Sequence, residues 1–333
     1  PDFIRDQANA NSAAMQALAG LDQADDIDRY MLHMRAAGLM VVKDGTVLLE
    51  RYAFGHNEKT PWTTFSVAKS VLSLLFGAAI QDGYINSVDD LISDYVPHLK
   101  GGGYADVSIE QMLQMSSGVQ WNEDYTDANS DVARAPMAGM PMLRYMNSLP
   151  SAVAPGIQFN YNTGETNIAG AVLRSAIGNN LSAYLSEKVW QPFGMEFDAT
   201  WQAQSDQGTE IAGCCISATL RDYARIGLFA LGNGLALDGT PILPADWISR
   251  SVTPAQTYPG YGYLWWLGEN DNSYSGRGIF GQLLWIDPDS NMIIVIQSAW
   301  PHAWTDQLGD QRKGFIEAMK AFTAAWRVPL STN

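Results

Sequence analysis

Residues 65–81 read FSVAKSVLSLLFGAAIQ, in which a serine and a lysine open a long apolar segment. From Val67 onward the apolar residues cover nearly every face of a helix, which predicts a helix buried on most sides. Ser66 and Lys69 stand at its start, and one helical turn brings the hydroxyl and the amine to the same face. Burial and the positive end of the helix dipole both lower the pKa of Lys69, favouring the neutral, proton-accepting amine. The pair is therefore a candidate nucleophile and base.

A structural interpretation of the same residues is equally consistent with this segment alone. Ser66 is a good helix N-cap, and the Lys69 side chain could extend its amine to solvent. Tyr161 favours the catalytic interpretation, because it lies in a polar loop directly before a predicted helix. A phenol close to a lysine can act as a general base and then as a general acid. The alternative for Tyr161 is an aromatic residue packed in a capping loop.

The periodicity predicts strands at both ends of the chain and helices between them. Asp44-Gly45 separates two β-rich runs, 38–42 and 46–52, which is typical of a hairpin. Three further strands are predicted at 261–267, 279–286 and 292–298. Helices are predicted within 6–36 and at 67–81, 109–115, 142–147, 165–177, 181–189, 219–231 and 311–326.

This pattern predicts an α+β fold with an antiparallel five-stranded sheet flanked by helices and a mainly helical inserted domain. Residues 1–65 and 240–333 are expected to form the α/β domain with the terminal helices. Residues 66–239 are expected to form the helical domain that carries the nucleophile helix.

The composition excludes several classes of partner. The 333 residues include 20 Lys and Arg against 35 Asp and Glu, a formal net charge of −15 that repels nucleic acid and anionic lipid surfaces. No apolar run is long enough to cross a bilayer, so membrane insertion is not expected. Residues 1–5 lack the pattern of a signal peptide, and localisation is not predicted. A homodimer is compatible with the sequence, which does not fix the oligomeric state.

Other motifs do not predict a cofactor or a metal site. Residues 276–281 spell GxGxxG, but a strand follows the glycines where the dinucleotide motif needs a helix, so they are expected to let a backbone or ligand approach closely. The four histidines accompany no GxSxG motif, which argues against a Ser-His-Asp hydrolase. Cys214 and Cys215 are adjacent and are judged too constrained for an ordinary structural disulfide.

Several segments, in chain order, resemble motifs of serine hydrolases of the penicillin-binding-protein and class C β-lactamase fold. This family includes D,D-peptidases, family VIII carboxylesterases and 6-aminohexanoate-dimer hydrolases. The segments are Phe65–Ser70 for the nucleophile motif, Leu113–Val119 for a serine-glycine stretch, Pro155–Tyr161 for the tyrosine loop and Thr219–Gly227 for a characteristic helix. The runs Trp121–Tyr125, Glu187–Met195 and Gly278–Gln282 are most similar to the 6-aminohexanoate-dimer hydrolase and esterase branch.

The resemblance implies a role for each matching residue. Ser66 is the expected nucleophile, Lys69 its base and Tyr161 the proton relay to the leaving group. The backbone N–H groups of Ser66 and Ile279 are expected to form the oxyanion hole. Tyr125, on a loop, and Gly278 are the expected substrate contacts, although an ordinary loop aromatic is an equally good interpretation of Tyr125.

Three departures from the family pattern argue against a dedicated penicillinase. The Lys-Thr-Gly motif falls on Gly276-Arg277-Gly278, which lacks the lysine, although Arg277 could partly substitute for it in binding a β-lactam carboxylate. Tyr-x-Asn reads Tyr161-Asn162-Thr163, and Ser130-Asp131-Val132 differs from the Ser-Asp-Asn of class A enzymes. The predicted activity is therefore cleavage of a carboxylic ester or a small linear amide through an acyl-enzyme, with a small-molecule substrate and no cofactor. A β-lactamase, a D,D-peptidase and a non-catalytic peptidoglycan-binding homologue are the alternatives.

Overall fold

A computed structural model describes residues 23–206 and 208–324. Its strands are β1 (Ala36–Lys43), β2 (Thr46–Tyr52), β3 (Trp62–Thr63), β4 (Thr200–Trp201), β5 (Ile216–Ala218), β6 (Trp266–Leu267), β7 (Tyr274–Gly278), β8 (Gln282–Asp287) and β9 (Met292–Ser298). Its α-helices are α1 (Gln23–His33), α2 (Val67–Gln81), α3 (Ile92–Tyr95), α4 (Ile109–Leu113), α5 (Asp131–Arg134), α6 (Gly139–Ser148), α7 (Thr163–Ile177), α8 (Leu181–Leu185), α9 (Leu220–Leu231), α10 (Trp247–Ser251) and α11 (Asp306–Ala324).

The central sheet is antiparallel and has the strand order β2-β1-β9-β8-β7-β6. Asp44 and Gly45 both have positive φ, 50° and 74°, as a two-residue hairpin turn requires, and Lys43 pairs with Thr46 across it. The predicted hairpin is therefore confirmed. Strands from both ends of the chain meet where β1 pairs with β9.

The sheet has six strands, so the predicted count of five is wrong. The additional strand, β7, reads Tyr-Ser-Gly-Arg-Gly and contains no β-branched residue to signal it. The strand predicted at 261–267 shrinks to β6, and the strand predicted at 279–286 begins only at Gln282, because residues 279–281 form a tight turn in which Phe280 has a φ of 62°. What makes β7 a strand is its pairing with β8, which local propensity does not show.

Each face of the sheet packs against helices because its strands alternate side chains between two cores. Leu284 of β8 belongs to the core that contains α2 and α9, whereas its neighbour Leu283 belongs to the core that contains α1 and α11. The helix α2 is buried along residues 67–79, as the sequence predicted. It therefore lies at the centre of the larger core and gives its first turn a rigid support.

Most helices between the two groups of strands lie where the sequence predicted them. The helix predicted at 165–177 begins at Thr163, with the Asn162 side chain accepting from the Glu165 N–H as its cap. The helix predicted at 181–189 ends at Leu185 and continues as a π-helical turn, Ser186–Trp190. Three short strands in the order β3-β5-β4 form a second sheet. The division into two domains stays a prediction.

The terminal helices are described only in part. Helix α1 falls within the predicted segment 6–36, of which residues 6–22 lie outside the described residues. Helix α11 starts five residues earlier than predicted, and residues 325–326 of the predicted helix lie outside the described residues. Among the described helices, none combines the length and the apolar character needed to cross a membrane.

Candidate active site

Ser66 and Lys69 lie together at the buried start of α2. The Ser66 side chain makes no capping bond; instead Lys69 Nζ donates to Ser66 Oγ at 3.0 Å. Lys69 is 1% exposed, so its amine does not extend to solvent. The structural interpretation, a serine cap with a solvent-directed lysine, is therefore wrong. The predicted proximity of the Ser66 hydroxyl and the Lys69 amine is confirmed.

Two further acceptors fix the direction of the amine. Lys69 Nζ also donates to Thr163 Oγ1 at 3.1 Å and to the carbonyl oxygen of Gly213 at 2.7 Å. A charged ammonium would use its three hydrogens on these three oxygens. In the neutral amine, two hydrogens serve Thr163 and Gly213, and the lone pair is left pointing toward Ser66. The geometry therefore suits proton transfer from Ser66 to Lys69.

The surroundings favour this neutral amine. Burial lowers the pKa of Lys69 to about 8, against the opposing effect of the Glu123 carboxylate. The direction is the one that the sequence predicted for an amine inside an apolar core. A base with a pKa near the working pH combines a useful neutral fraction with proton affinity.

Glu123 orients the Thr163 hydroxyl that faces the amine. The carboxylate accepts the Thr163 backbone N–H at 3.0 Å and also accepts the Thr163 hydroxyl. Because the hydroxyl proton goes to Glu123, the Thr163 oxygen presents lone pairs to Lys69. Glu123, Thr163 and Lys69 thus form a directed chain of hydrogen bonds that ends at Ser66.

Tyr161 lies directly before the cap of α7, beside the same amine. Lys69 Nζ is 5.3 Å from the centre of the Tyr161 ring. Burial raises the pKa of the phenol, Glu123 raises it further, and a hydrogen bond with Ser66 acts in the opposite direction. The phenol is therefore protonated and neutral near pH 7. Its ring stacks on Trp266, with centroids 5.4 Å apart.

The glycines of β7 bring the predicted oxyanion-hole strand against the start of α2. A Cβ at Gly278 would lie 2.2 Å from the Thr64 carbonyl oxygen, and a Cβ at Gly276 would lie 2.9 Å from Ser70 Oγ. The expectation that these glycines permit close approach is therefore confirmed. Among the described residues, the N–H groups of Ser66 and Ile279 donate to no backbone acceptor, which is compatible with the predicted oxyanion hole.

Tyr125 lies on the exposed side of the site and is 41% exposed. Its hydroxyl donates to Glu123 Oε1 at 2.7 Å, which links it to the Thr163 contact. The structure thus brings Tyr125 to the edge of the Lys69 network, as a loop aromatic that a ligand could reach. Sequence analysis missed the parts played by Glu123, Thr163 and Gly213. Thr163 was marked by its place in the Tyr-x-Asn motif, where it replaces the asparagine, and Glu123 by its place in the Trp121–Tyr125 run, but neither signal indicated the contact.

The two cysteines form a disulfide beside the contact between Lys69 and Gly213. Cys214 and Cys215 are bonded to each other, which the sequence analysis judged too constrained. The chain turns sharply here, with a φ of 73° at Cys215, and this turn brings the neighbouring sulfurs together. The ring directly follows Gly213, whose carbonyl accepts from Lys69. Cys215 N–H also donates to the Phe65 carbonyl oxygen at 3.4 Å, directly before Ser66.

Comparison with known proteins gives a consistent assignment. A family model described as Beta-lactamase matches residues 21–315. The chain is 27% identical over 321 residues to the 6-aminohexanoate-dimer hydrolase of Paenarthrobacter ureafaciens, covering 89% of this chain and 81% of that protein. These matches confirm the resemblance that the motifs indicated.

Solved structures show the same fold. A Bacillus anthracis protein provisionally named a 6-aminohexanoate-dimer hydrolase superposes with a TM-score of 0.78 at 24% identity, covering 90% of this chain and 83% of that chain. A family VIII carboxylesterase superposes with a TM-score of 0.64 at 18% identity, covering 86% and 92% respectively. The predicted fold class is confirmed, apart from the strand count.

Proposed function

The chain belongs to the beta-lactamase family of serine hydrolases, and on that premise we propose that it cleaves carboxylic esters or small linear amides through an acyl-enzyme on Ser66. The observation that carries the proposal is the threefold contact of Lys69 Nζ with Ser66, Thr163 and Gly213. The first contact supplies a base at hydrogen-bond distance from the hydroxyl. The other two point its lone pair at that hydroxyl.

Acylation follows from this arrangement. Neutral Lys69 takes the Ser66 proton while Oγ forms a bond to the carbonyl carbon, and the carbonyl π electrons move onto its oxygen. The Ser66 and Ile279 N–H groups stabilise that oxyanion. When the intermediate collapses, the bond to the leaving oxygen or nitrogen breaks, and Tyr161 donates its proton to that atom. The proton held by Lys69 restores the phenol, so the net transfer runs from Ser66 to the leaving group.

Deacylation uses the same groups in reverse order. Water adds to the acyl carbon, and its proton passes through Tyr161 and Lys69 to Ser66 Oγ as the acyl–oxygen bond breaks. The products are a carboxylic acid and the free enzyme. The carboxylate of Glu123 takes no proton in this sequence; it keeps the Thr163 hydroxyl turned toward itself and so preserves the orientation of Lys69.

Covalent labelling tests the nucleophile directly. A fluorophosphonate probe is expected to label wild-type protein at one site, identified by peptide mass spectrometry as Ser66. Ser66→Ala should not be labelled, whereas Ser87→Ala, which removes a half-buried serine outside the site, should label normally. Equal labelling of Ser66→Ala, or no labelling and no hydrolysis of any substrate by the wild type, would refute the proposal and favour a non-catalytic peptidoglycan-binding protein.

A substrate panel separates the remaining hydrolase classes. 4-Nitrophenyl hexanoate, linear amide dimers and the β-lactam nitrocefin test esterase, amidase and β-lactamase activity in parallel. We expect ester or amide turnover to exceed β-lactam turnover, because Gly276 offers no ammonium where the family motif has a lysine. Fast nitrocefin hydrolysis would instead identify a β-lactamase, and release of a terminal D-alanine from a muramyl-type peptide would identify a D,D-peptidase.

A further inference from the structure

The first turn of α7 contains a buried carboxyl group that the proposed mechanism does not use. Glu165 is 1% exposed and lies three residues after Asn162, the N-cap of α7. Asn162 is itself fully buried, and it stands between Tyr161 and Thr163, two residues of the candidate site. A group that fixes the Asn162 side chain therefore acts on both of its neighbours.

Two hydrogen bonds join Glu165 to Asn162. Asn162 Oδ1 accepts the Glu165 backbone N–H at 2.9 Å, which is the usual capping bond. Asn162 Nδ2 donates to Glu165 Oε1 at 3.2 Å, so the second bond depends on the Glu165 side chain. The other contact of Nδ2, with the Tyr104 hydroxyl, is long at 3.5 Å. The orientation of the Asn162 amide is therefore defined mainly by Glu165.

The same carboxyl group joins α7 to a second segment that supports the loop of Tyr161. Ser117 Oγ donates to Glu165 Oε1. Two residues before Ser117, the Met115 carbonyl oxygen accepts the Asn160 N–H at 2.8 Å, directly before Tyr161. The backbone on both sides of Tyr161 is thus held by segments that Glu165 connects.

Glu165 makes these contacts as a neutral carboxyl group. Burial raises its pKa to about 8, so the group is mostly protonated near pH 7. Both side-chain donors bind Oε1, whereas Oε2 is buried without a hydrogen-bond partner among the described residues. A proton on Oε2 therefore leaves the two contacts intact, and the buried group needs no cation beside it.

We propose that Glu165 is a positioning residue, which acts through Asn162 to hold the Tyr161 phenol in place for proton donation. The inference rests on the proposed function and assigns Glu165 no contact with the reacting atoms. Proton donation matters most when the leaving group is a strong base. A misplaced phenol should therefore slow substrates with strongly basic leaving groups selectively, whereas a smaller folded fraction would slow all substrates equally.

Two esters with the same acyl half test the proposal. Ethyl hexanoate and trifluoroethyl hexanoate are similar in size, but trifluoroethanol is the stronger acid, so its departure depends less on Tyr161. The measured quantity is kcat/KM for the ethyl ester divided by kcat/KM for the trifluoroethyl ester, from acid release in a pH-stat. Glu165→Leu should lower this ratio about tenfold, a part of the roughly 10²- to 10⁴-fold that general acid catalysis supplies.

Matched variants separate positioning from stability. Glu165→Gln should keep the wild-type ratio, because its side-chain oxygen still accepts from Ser117 and Asn162. If Glu165→Leu does not fold, Asn162→Ala, which removes the same contact from the other side, should lower the ratio instead. Asn180→Ala is the control: Asn180 caps α8 by accepting the Ala183 N–H at 2.8 Å, outside the candidate site, and its loss should leave the ratio unchanged.

A double variant identifies the residue through which Glu165 acts. Tyr161→Phe alone should lower the ratio, and adding Glu165→Leu should lower it no further, because the phenol hydroxyl is already absent. The proposal would be overturned by an unchanged ratio in Glu165→Leu, by an equal loss in Glu165→Gln, or by a further loss in the double variant.

Hydrogen exchange separates failure of this inference from failure of the proposed function. The N–H groups of Asn160, Thr163 and Glu165 are hydrogen-bonded, so exchange in residues 160–165 reports how firmly this segment is held. Mass spectrometry should find faster exchange there in Glu165→Leu but not in Glu165→Gln. This result would support the positioning role even if no ester were hydrolysed. Unchanged exchange in Glu165→Leu would count against it even if esters were hydrolysed.

Discussion

The Glu123 carboxylate accepts both the backbone N–H and the hydroxyl of Thr163, and so turns the Thr163 oxygen toward Lys69. Glu123→Gln removes the charge that raises the pKa of Lys69. We expect the alkaline rise of kcat/KM to move to lower pH and kcat to fall, because the amide no longer dictates the hydroxyl orientation. Asp124→Asn, which alters an exposed neighbouring carboxylate, is the control. An unmoved pH profile in Glu123→Gln would contradict this role.

The wild-type pH profile should report the titration of Lys69. Because the amine must be neutral to accept the Ser66 proton and its pKa is about 8, kcat/KM should rise about tenfold per pH unit below that value and level off above it. Lys69→Met should lose the rise together with most of the activity. A flat profile between pH 6 and 9 in the wild type would exclude Lys69 as the base.

Tyr161→Phe removes the phenol hydroxyl and keeps the aromatic ring. The phenylalanine ring can keep the contact with Trp266, so the protein should fold with an unchanged melting temperature. Loss of general acid catalysis should lower kcat by about 10²-fold or more. Tyr84→Phe, at an exposed position, should keep full activity. Full turnover by Tyr161→Phe would remove this residue from the mechanism.

Glu165 should make the protein less stable as the pH rises. It is buried beside Ser117 and Asn162, and burial raises its pKa to about 8 from an ordinary 4.5. Between these values, the folded state retains a proton that the unfolded chain releases. The free energy of unfolding should therefore fall, by up to about 1.4 kcal/mol per pH unit from this group.

Urea unfolding of Glu165→Gln from pH 5 to 8 checks this expectation. In this variant, the free energy of unfolding should not show the decrease that Glu165 causes, because glutamine does not titrate. Lys69 does not interfere, since its folded pKa of about 8 leaves it largely protonated in both states over most of this window. Glu187→Gln, at an exposed glutamate, should behave like the wild type. Parallel curves for wild type and Glu165→Gln would show that Glu165 ionises normally.

Reduction of the Cys214–Cys215 bond should lower kcat. The Gly213 carbonyl, which accepts from Lys69, directly precedes this ring, so opening it should loosen that contact. A phosphine reductant should add two hydrogens by mass and reduce turnover, while the double variant Cys214→Ser, Cys215→Ser should not respond to it. Two free thiols in the untreated protein, or full activity after reduction, would speak against the effect.

The sequence predicts those parts of the site that depend on local spacing. Ser66 and Lys69 are one helical turn apart, and Tyr161 directly precedes the cap of the next helix that forms the site, so periodicity and capping place all three. Gly213 is 144 residues from Lys69 along the chain, and its contribution is a carbonyl that any residue carries. No side-chain pattern could identify it.

The contact made by Glu123 and the strand β7 were not predicted from the sequence, for related reasons. Glu123 lies in the Trp121–Tyr125 run that resembles the 6-aminohexanoate-dimer hydrolase branch, but nothing local indicates its contact, since its partner Thr163 lies 40 residues away. Strand β7 has low intrinsic strand propensity, and its conformation depends on pairing with β8. In both cases, contacts with residues distant in the sequence determine the local structure. The hairpin β1–β2 shows the opposite case, because Asp44-Gly45 suffices to define its turn.

The tight packing of Gly276 also limits how this enzyme could evolve. Any side chain there would collide with the first turns of α2, where Ser70 is fixed by its bond to the Leu264 carbonyl. A side chain introduced at this position by one mutation would therefore require Ser70 and Val67 to shift away from β7. New side chains at this edge of the site would thus carry a steric cost before they could change its chemistry.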